Sequence, residues 1–153
     1  MYKTRKFLKA LCLLLCSTLM GILFVSCIGL GTPTDLIQLP ETEYKQQCTT
    51  YKYEDLMRYP DNYNKKLAVF QGKVIQVLRN GKEFQMRINV TQTNYGYTDT
   101  MYVFYTQKTN ENFLENDIII MYGELRGTQK YTSVLGAEIE IPRIYAQYMQ
   151  LVS

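Results

Sequence analysis

Residues 67–91 constrain the fold more than any other part of the sequence, because they predict two β-strands joined by a tight turn. In the second half, apolar side chains alternate with polar ones, which is the period of a strand with one buried face. The apolar positions are Phe84, Met86, Ile88 and Val90. Between the halves stands Asn80-Gly81, a pair that favours a type I′ turn because both residues tolerate positive φ. We therefore expect an antiparallel hairpin at the centre of the domain.

The first strand of this hairpin contains a glycine, Gly72, at which its apolar pattern shifts. A glycine inside a strand often marks a bulge or a sharp bend at the corner of a barrel. We therefore expect one long strand, residues 67–78, to serve two sides of a small closed sheet.

Three further strands come after the hairpin, each separated from the next by a polar segment. They cover residues 100–105, 118–122 and 138–141, with loops expected at 91–99, 107–116 and 129–136. Pro142 is expected to end the fifth strand, because proline has no N–H to donate to a sheet. Residues 144–151 then close the domain as an extended or helical segment. Five short strands with a bent first strand predict a mainly β fold, a small five-stranded OB-fold-like barrel.

A short helix is expected to lead into the barrel. Tyr53, Leu56 and Met57 have the i, i+3, i+4 spacing of an apolar helical stripe. Pro60 restricts Tyr59 to non-helical conformations and therefore ends the helix. These aromatic residues are interpreted as packing residues rather than ligand contacts.

The N-terminus has the pattern of an export signal. Residues 1–9 are basic and residues 10–25 carry no charge, as in the first two regions of a secretory signal peptide. The stretch Leu23-Phe24-Val25-Ser26-Cys27 resembles the lipobox of bacterial lipoproteins. This resemblance implies cleavage after residue 26 and attachment of acyl chains such as palmitate to Cys27. The alternative is an uncleaved signal anchor in which Cys27 is an ordinary apolar residue.

The domain organisation is derived from these assignments. Residues 1–26 are the predicted lipoprotein signal peptide, residues 27–48 a flexible tether rich in glycine and proline, and residues 49–153 the OB-fold-like domain. Cys48 is left as a lone thiol, and we interpret it as a tolerated residue without a catalytic role.

Residues 53–148 resemble a bacterial family of tRNA-anticodon-binding-like OB domains, which occurs on predicted lipoproteins and membrane proteins. The matching features are short and structural. They are Asp55-Leu56, Pro60-Asp61-Asn62-Tyr63, the strand Val69-Phe70-Gln71-Gly72-Lys73-Val74, Asp117-Ile118, Tyr122-Gly123, Gly136 and Ile141-Pro142. The resemblance implies the fold, and it leaves the ligand undefined.

OB-folds bind their ligands on the face of strands two and three and at the flanking loops. On this chain that face and its flanks would offer Gln85, Arg87, Asn89, Tyr102, Phe104, Lys130 and Tyr131, with Arg79 and Lys82 nearby. Aromatic rings beside arginine suit the stacking of bases, sugars or peptide side chains. The alternative is that tyrosine and phenylalanine are there as good strand formers.

Composition narrows the possible functions. The chain has no histidine, so the usual general base and the commonest metal ligand are missing. Four of its 17 Lys and Arg residues precede Ser26, which leaves 13 against 14 Asp and Glu afterwards. That balance disfavours a broad electrostatic footprint for nucleic acid.

We therefore expect a non-enzymatic binding module for a protein or a cell-envelope component, without cofactor or metal site. It would be lipid-anchored on the outer side of the cytoplasmic membrane, or in the outer membrane if the source has one. A single-stranded nucleic-acid-binding lipoprotein is the first alternative. A hydrolase that uses Glu138 with Asp117 is the least favoured, because no pattern in the sequence brings two carboxylates to working distance.

Overall fold

A computed structural model of the chain describes residues 33–133 and 135–152. The predicted signal peptide and the predicted lipidation site Cys27 lie outside the described residues. The helices are α1 (Glu41–Gln47), α2 (Tyr53–Arg58) and α3 (Pro60–Tyr63), and the strands are β1 (Leu67–Asn80), β2 (Glu83–Thr93), β3 (Gly96–Thr106), β4 (Ile118–Thr132) and β5 (Glu138–Leu151). Within these residues no helix is long and apolar enough to span a membrane.

The five strands form a closed barrel in the order β1-β2-β3-β5-β4. All neighbouring strands are antiparallel except β3 and β5, which run parallel over Tyr102–Tyr105 and Arg143–Ala146. A five-stranded barrel with this connectivity is the OB-fold. The predicted mainly β, OB-fold-like barrel with a short N-terminal helix is therefore confirmed.

The expected bend in β1 is present. Leu67–Lys73 pairs with β4, and Lys73–Asn80 pairs with β2, so one strand forms two sides of the barrel. A Cβ atom on Gly72 would stand 2.5 Å from the carbonyl oxygen of Asn89 and 2.6 Å from Cγ2 of Ile88. The backbones approach each other too closely at the corner for any side chain there. The register shift itself lies two residues later, between Val74 and Gln76.

The predicted hairpin is confirmed, but its turn is placed one residue later than expected. Asn80 pairs with Glu83, which leaves Gly81 and Lys82 as the two loop residues. Only Gly81 of these residues has a positive φ, of 60°. A glycine at the first loop position is typical of a type II′ turn, so the predicted type I′ turn centred on Asn80-Gly81 is wrong.

The later strands are longer than the sequence predicts. The expected loop at 91–99 is mostly the end of β2 and the start of β3, and the expected loop at 129–136 begins as strand β4. Strand β5 continues through Pro142, so the prediction that Pro142 ends it is also wrong. Pro142 pairs with Thr128 beside a register shift in β4, and proline is tolerated in a sheet at such irregular positions.

The barrel interior is filled by the alternating apolar residues that the sequence marks as one face. Ile88, Met101, Val103, Ile119 and Ile144 have no exposed surface. Helix α2 contributes Leu56 to the same core, and the connection between β3 and β4 contributes Phe113. As predicted, α2 ends before Pro60, which is the first residue of α3.

Residues 33–48 differ from the flexible tether that composition predicts for this region. Residues 41–47 form α1, and Tyr44 within it is 1% exposed, with its ring 5.5 Å from that of Tyr148. Leu36, ahead of the helix, is also buried. The glycine and proline content of a segment indicates a flexible backbone. It does not show that two apolar side chains of the same segment, Leu36 and Tyr44, pack on the barrel.

Candidate functional site

The outer side of β2 and β3 carries the polar residues that the sequence assigns to ligand binding; we call it the outer face. Gln85 stands opposite Phe104, Arg87 opposite Tyr102, and Asn89 opposite Thr100. Their neighbours on each strand point into the barrel core. The alternation of side chains along a strand therefore places the predicted residues on one surface. That this surface binds a ligand stays a prediction.

Two of the amides on this face are used to hold it together. The Tyr102 hydroxyl donates to Oε1 of Gln85 at 2.9 Å, and the Thr100 hydroxyl donates to Oδ1 of Asn89 at 2.7 Å. Burial raises the pKa of Tyr102, although the nearby Arg87 opposes the shift. The Tyr102 hydroxyl therefore remains protonated, and a donor, at neutral pH.

Arg87 is the exception on this face, because no group of the described chain satisfies it. Within the described residues it makes neither a hydrogen bond nor an ion pair, and its Nε atom is buried without a partner. The Arg87 guanidinium lies over the ring of Tyr131, with its Cζ atom 5.0 Å from the ring centre. Stacking on a ring holds the planar guanidinium in place while leaving its N–H groups free to donate.

Tyr131 reaches Arg87 because β4 and β5 extend beyond the barrel as a two-stranded arm. In the arm Thr128–Thr132 pairs with Glu138–Pro142. Gln129 and Tyr131 face the barrel, and Gln129 accepts a hydrogen bond from Nη1 of Arg143 at 3.3 Å. The arm and the outer face meet at Arg87, and we call the surface that they form there the Arg87 surface.

Arg143 belongs to this surface, although sequence analysis did not select it. It pairs with Tyr102, so Arg87, Tyr102 and Arg143 form one row across β2, β3 and β5. Its guanidinium donates twice to the Arg126 carbonyl, at 2.8 and 3.0 Å, and it has no carboxylate partner in the described chain. The signal in the sequence is the alternation of side chains that continues past Pro142, and the expectation that Pro142 ends the strand hides this signal.

Phe104 does not have the exposed position that a stacking residue needs. It is 7% exposed, and its ring is stacked on that of Tyr145 at 4.8 Å with an angle of 10°. Leu36 packs on the same pair. The prediction that Phe104 offers a free ring is wrong for this structure, because Leu36 and Tyr145 cover it.

Three of the predicted basic residues also lie away from the surface around Arg87. Lys130 is exposed and comes directly after Gln129 on the strand, so its side chain lies on the side of the arm opposite Tyr131. Arg79 is used by the hairpin, since its guanidinium donates to Gly81, Asn112 and Gln107. Lys82 is exposed in the turn.

The candidates for chemistry other than binding among the described residues are a metal-ligand cluster, the Cys48 thiol and the pair Asp117 and Glu138. Among residues 33–133 and 135–152 no three Cys, Asp or Glu residues cluster as metal ligands do. Burial raises the pKa of the Cys48 thiol to about 11, which leaves it protonated and a poor nucleophile at neutral pH. Asp117 precedes β4 and Glu138 pairs with Thr132 at the other end of that strand. The structure therefore does not bring these two carboxylates together.

The similarity of this chain to known proteins lies in structure. No protein-family model and no curated protein sequence matches this chain. Among solved structures it is similar to an aspartyl-tRNA synthetase from Entamoeba histolytica, with 12% identity and a TM-score of 0.49 over 77% of this chain. The chain spans 24% of that synthetase.

Two smaller proteins are similar over most of their own length. They are the mitochondrial single-stranded DNA-binding protein Rim1 from S. cerevisiae, with 7% identity and a TM-score of 0.41, and the small single-stranded DNA-binding protein from Streptomyces coelicolor, with 12% identity and a TM-score of 0.41. This chain covers 97% and 94% of them, respectively, with 59% and 57% of its own length. The assignment of the OB-fold rests on the strand order and pairing of the chain itself.

Proposed function

We propose that this protein is a non-enzymatic binding module that recognises a protein or another component of the cell envelope through the Arg87 surface. The observation that carries the proposal is the unpartnered Arg87 guanidinium stacked on Tyr131. The Nη groups of Arg87 have no hydrogen-bond partner among the described residues and are not buried, so a ligand can reach them and accept charge-assisted hydrogen bonds from them. The row of Arg87, Tyr102 and Arg143 also carries two positive charges and no carboxylate.

The location we propose is the outer side of a bacterial membrane, to which acyl chains on Cys27 would hold the module. What supports it is the basic segment, the uncharged run and the Ser26-Cys27 junction of the sequence. Two or three acyl chains hold a protein far more firmly than one chain does. A partner within reach of a short anchored segment would be another component of the same envelope.

The proposal is tested by capture of the partner from detergent-solubilised membranes with the tagged full-length protein, quantified by mass spectrometry after cross-linking. Arg87→Ala is expected to reduce recovery of the partner by about tenfold or more, because a charge-assisted hydrogen bond contributes about 1.5–3 kcal/mol. Arg58→Ala is the matched control, since Arg58 is an exposed arginine on α2. Recovery that is equal for all three proteins would reject this surface as the binding site.

Single-stranded nucleic acid is the second candidate ligand, and the observation in its favour is the pairing of Arg87 and Arg143 with Tyr102 in one row. Bases stack on aromatic rings, and arginine pairs with phosphates. The 13 basic against 14 acidic residues after Ser26 count against it. A salt titration of oligonucleotide binding decides, because phosphate contacts give a steep dependence on ionic strength. Absence of binding even at low salt removes this candidate.

A further inference from the structure

Next to the Arg87 surface, the outer side of the barrel formed by β3, β4 and β5 is covered by another part of the chain. We call residues 35–37, Asp35-Leu36-Ile37, the strap. The strap precedes α1, has no helical or strand structure, and lies across β3, β4 and β5. The contacts described below, which hold the strap, involve neither Arg87 nor Tyr131, so a role of the strap is independent of the function proposed for the Arg87 surface.

Each residue of the strap makes a different kind of contact with the barrel: an ion pair, an apolar contact or a main-chain hydrogen bond. The Asp35 carboxylate forms ion pairs with Nη2 of Arg126 at 3.1 Å and with Nζ of Lys65 at 2.9 Å. The Leu36 side chain is 7% exposed and packs on the stacked rings of Phe104 and Tyr145.

The third contact goes to the peptide backbone of the strap. The N–H of Ile37 donates to Oε2 of Glu124 at 2.9 Å. Glu124 is completely buried, and its other oxygen is 2.5 Å from Nη2 of Arg126. A buried carboxylate in this position can accept a hydrogen bond from the main-chain N–H of any peptide that lies there, because every residue except proline carries this donor.

The strap is also attached in a way that permits exchange. Leu36 is its one buried side chain, while Asp35 remains 53% exposed by side chain and Ile37 remains 37% exposed. Exposed ion pairs contribute little net stability. The strap shares no β-ladder with the barrel, so its release breaks no sheet.

We propose that the surface formed by Arg126, Glu124, Phe104 and Tyr145 is a peptide-docking site, which residues 35–37 occupy in the isolated protein. The partner that fits it is a protein segment in which a carboxylate side chain is followed by two aliphatic side chains. Such a segment would displace the strap and repeat its three contacts. The ring centres of Tyr102 and Phe104 are 5.0 Å apart, and Tyr102 stands opposite Arg87. A longer segment would therefore continue towards the Arg87 surface.

The test measures binding of a fluorescein-labelled peptide with the sequence of residues 33–40, PTDLIQLP, to the full-length protein by fluorescence polarisation. The receptors are the wild type and the double variant Asp35→Ala/Leu36→Ala, whose own strap is weakened. We expect the double variant to bind the peptide at least about tenfold more tightly, since an occupied site reduces apparent affinity by the fraction that is open. A peptide in which the Asp and Leu are both replaced by Ala is expected not to bind.

Receptor variants locate the site. Adding Arg126→Ala to the double variant should abolish peptide binding, whereas adding Arg58→Ala should leave it unchanged. Thermal unfolding of each variant shows whether it is folded. If the triple variant with Arg126→Ala does not fold, Arg126→Lys takes its place, and because lysine keeps the charge we expect it to retain part of the affinity.

Three results would overturn the proposal. One is a double variant that is folded but binds no peptide, which would make the strap a purely structural contact. Another is equal binding of the native and the alanine-substituted peptide. The third is a wild-type dimer that exchanges straps between its copies, because the occupant would then be a second copy of this chain rather than a different protein.

Discussion

At the scale of single residues, the barrel depends most visibly on a position where no side chain fits. Gly72 lies where β1 turns from β4 towards β2, against the backbone of Asn89. Its φ is not in the left-handed region, so space rather than conformation requires glycine there. The sequence indicated a bend at Gly72, and the structure gives the reason for it.

Gly72→Ala is expected to lower the free energy of unfolding by about 1–3 kcal/mol, because an added methyl group at 2.5 Å from a backbone oxygen forces the strands apart. Urea unfolding followed by circular dichroism measures the change. The control is Gln71→Ala, an exposed neighbour on the same strand, for which a change within about 0.5 kcal/mol is expected. Equal stability of the two variants would mean that the corner can relax around a side chain.

At the scale of elements, the strap shows how a short segment without regular structure is held on a barrel. Burial of a leucine side chain contributes about 1.5–3 kcal/mol, and the hydrogen bond from the Ile37 N–H to the buried Glu124 carboxylate contributes a similar amount. The ion pairs of Asp35 are exposed and add specificity of position more than stability. The ion pairs of Asp35 therefore set the position of the strap, and the buried contacts of Leu36 and of the Ile37 N–H hold it on the barrel.

The ion pairs of Asp35 also predict a pH dependence. The hydrogen bonds from Lys65 and Arg126 lower the pKa of Asp35 from 3.8 to about 2. The carboxylate therefore stabilises the folded chain fully above about pH 3.8 and loses that contribution as the pH falls towards 2. Asp35→Asn should lower the Tm by a constant amount between about pH 5 and 8, and the difference should vanish near pH 2.

Thermal unfolding of the wild type and Asp35→Asn across this range measures the difference directly. Asp61→Asn on α3 is the control, because Asp61 is exposed and has no ion pair among the described residues. A difference that already disappears between pH 6 and 5 would contradict the ion pairs with Lys65 and Arg126.

At the scale of the whole molecule, the question is what the barrel is attached to. The lipoprotein assignment rests on the sequence before residue 28 and stays a prediction. If it holds, a leader with four basic residues would be removed, and a domain of nearly balanced charge would remain. A balanced surface suits recognition by a local site rather than by a broad field.

Cys27→Ser is expected to prevent lipid attachment and cleavage, since the thioether requires the cysteine sulfur. Mass spectrometry of the membrane fraction should find a mature wild-type protein that begins at an acylated Cys27 and a variant that retains its leader. Cys48→Ser is the control, because the Cys48 thiol, whose pKa burial raises to about 11, belongs to the folded domain. An unmodified Cys27 with the leader still attached would reject the anchor and leave the barrel assignment untouched.

The sequence alone determined the existence of the five strands, the inward and outward positions along β2 and β3, and the existence of the first hairpin, but not the strand ends. It did so because these features depend on neighbours a few residues apart. Alternation in β2 placed Arg87 outside and Ile88 inside, and a glycine-containing turn brought β2 back alongside β1. The same local information placed Gln85, Asn89 and Tyr102 on one face.

Only the tertiary structure decided which of these residues are open to a ligand. Tyr131 lies on Arg87, Arg143 beside Tyr102, and Asp35 on Arg126, 91 residues away along the chain. The periodicity of the sequence does not predict such contacts, because they form only when the barrel closes and the β4–β5 arm and the strap pack on its surface. For that reason the sequence could name Phe104 as a candidate but could not show that Leu36 covers it.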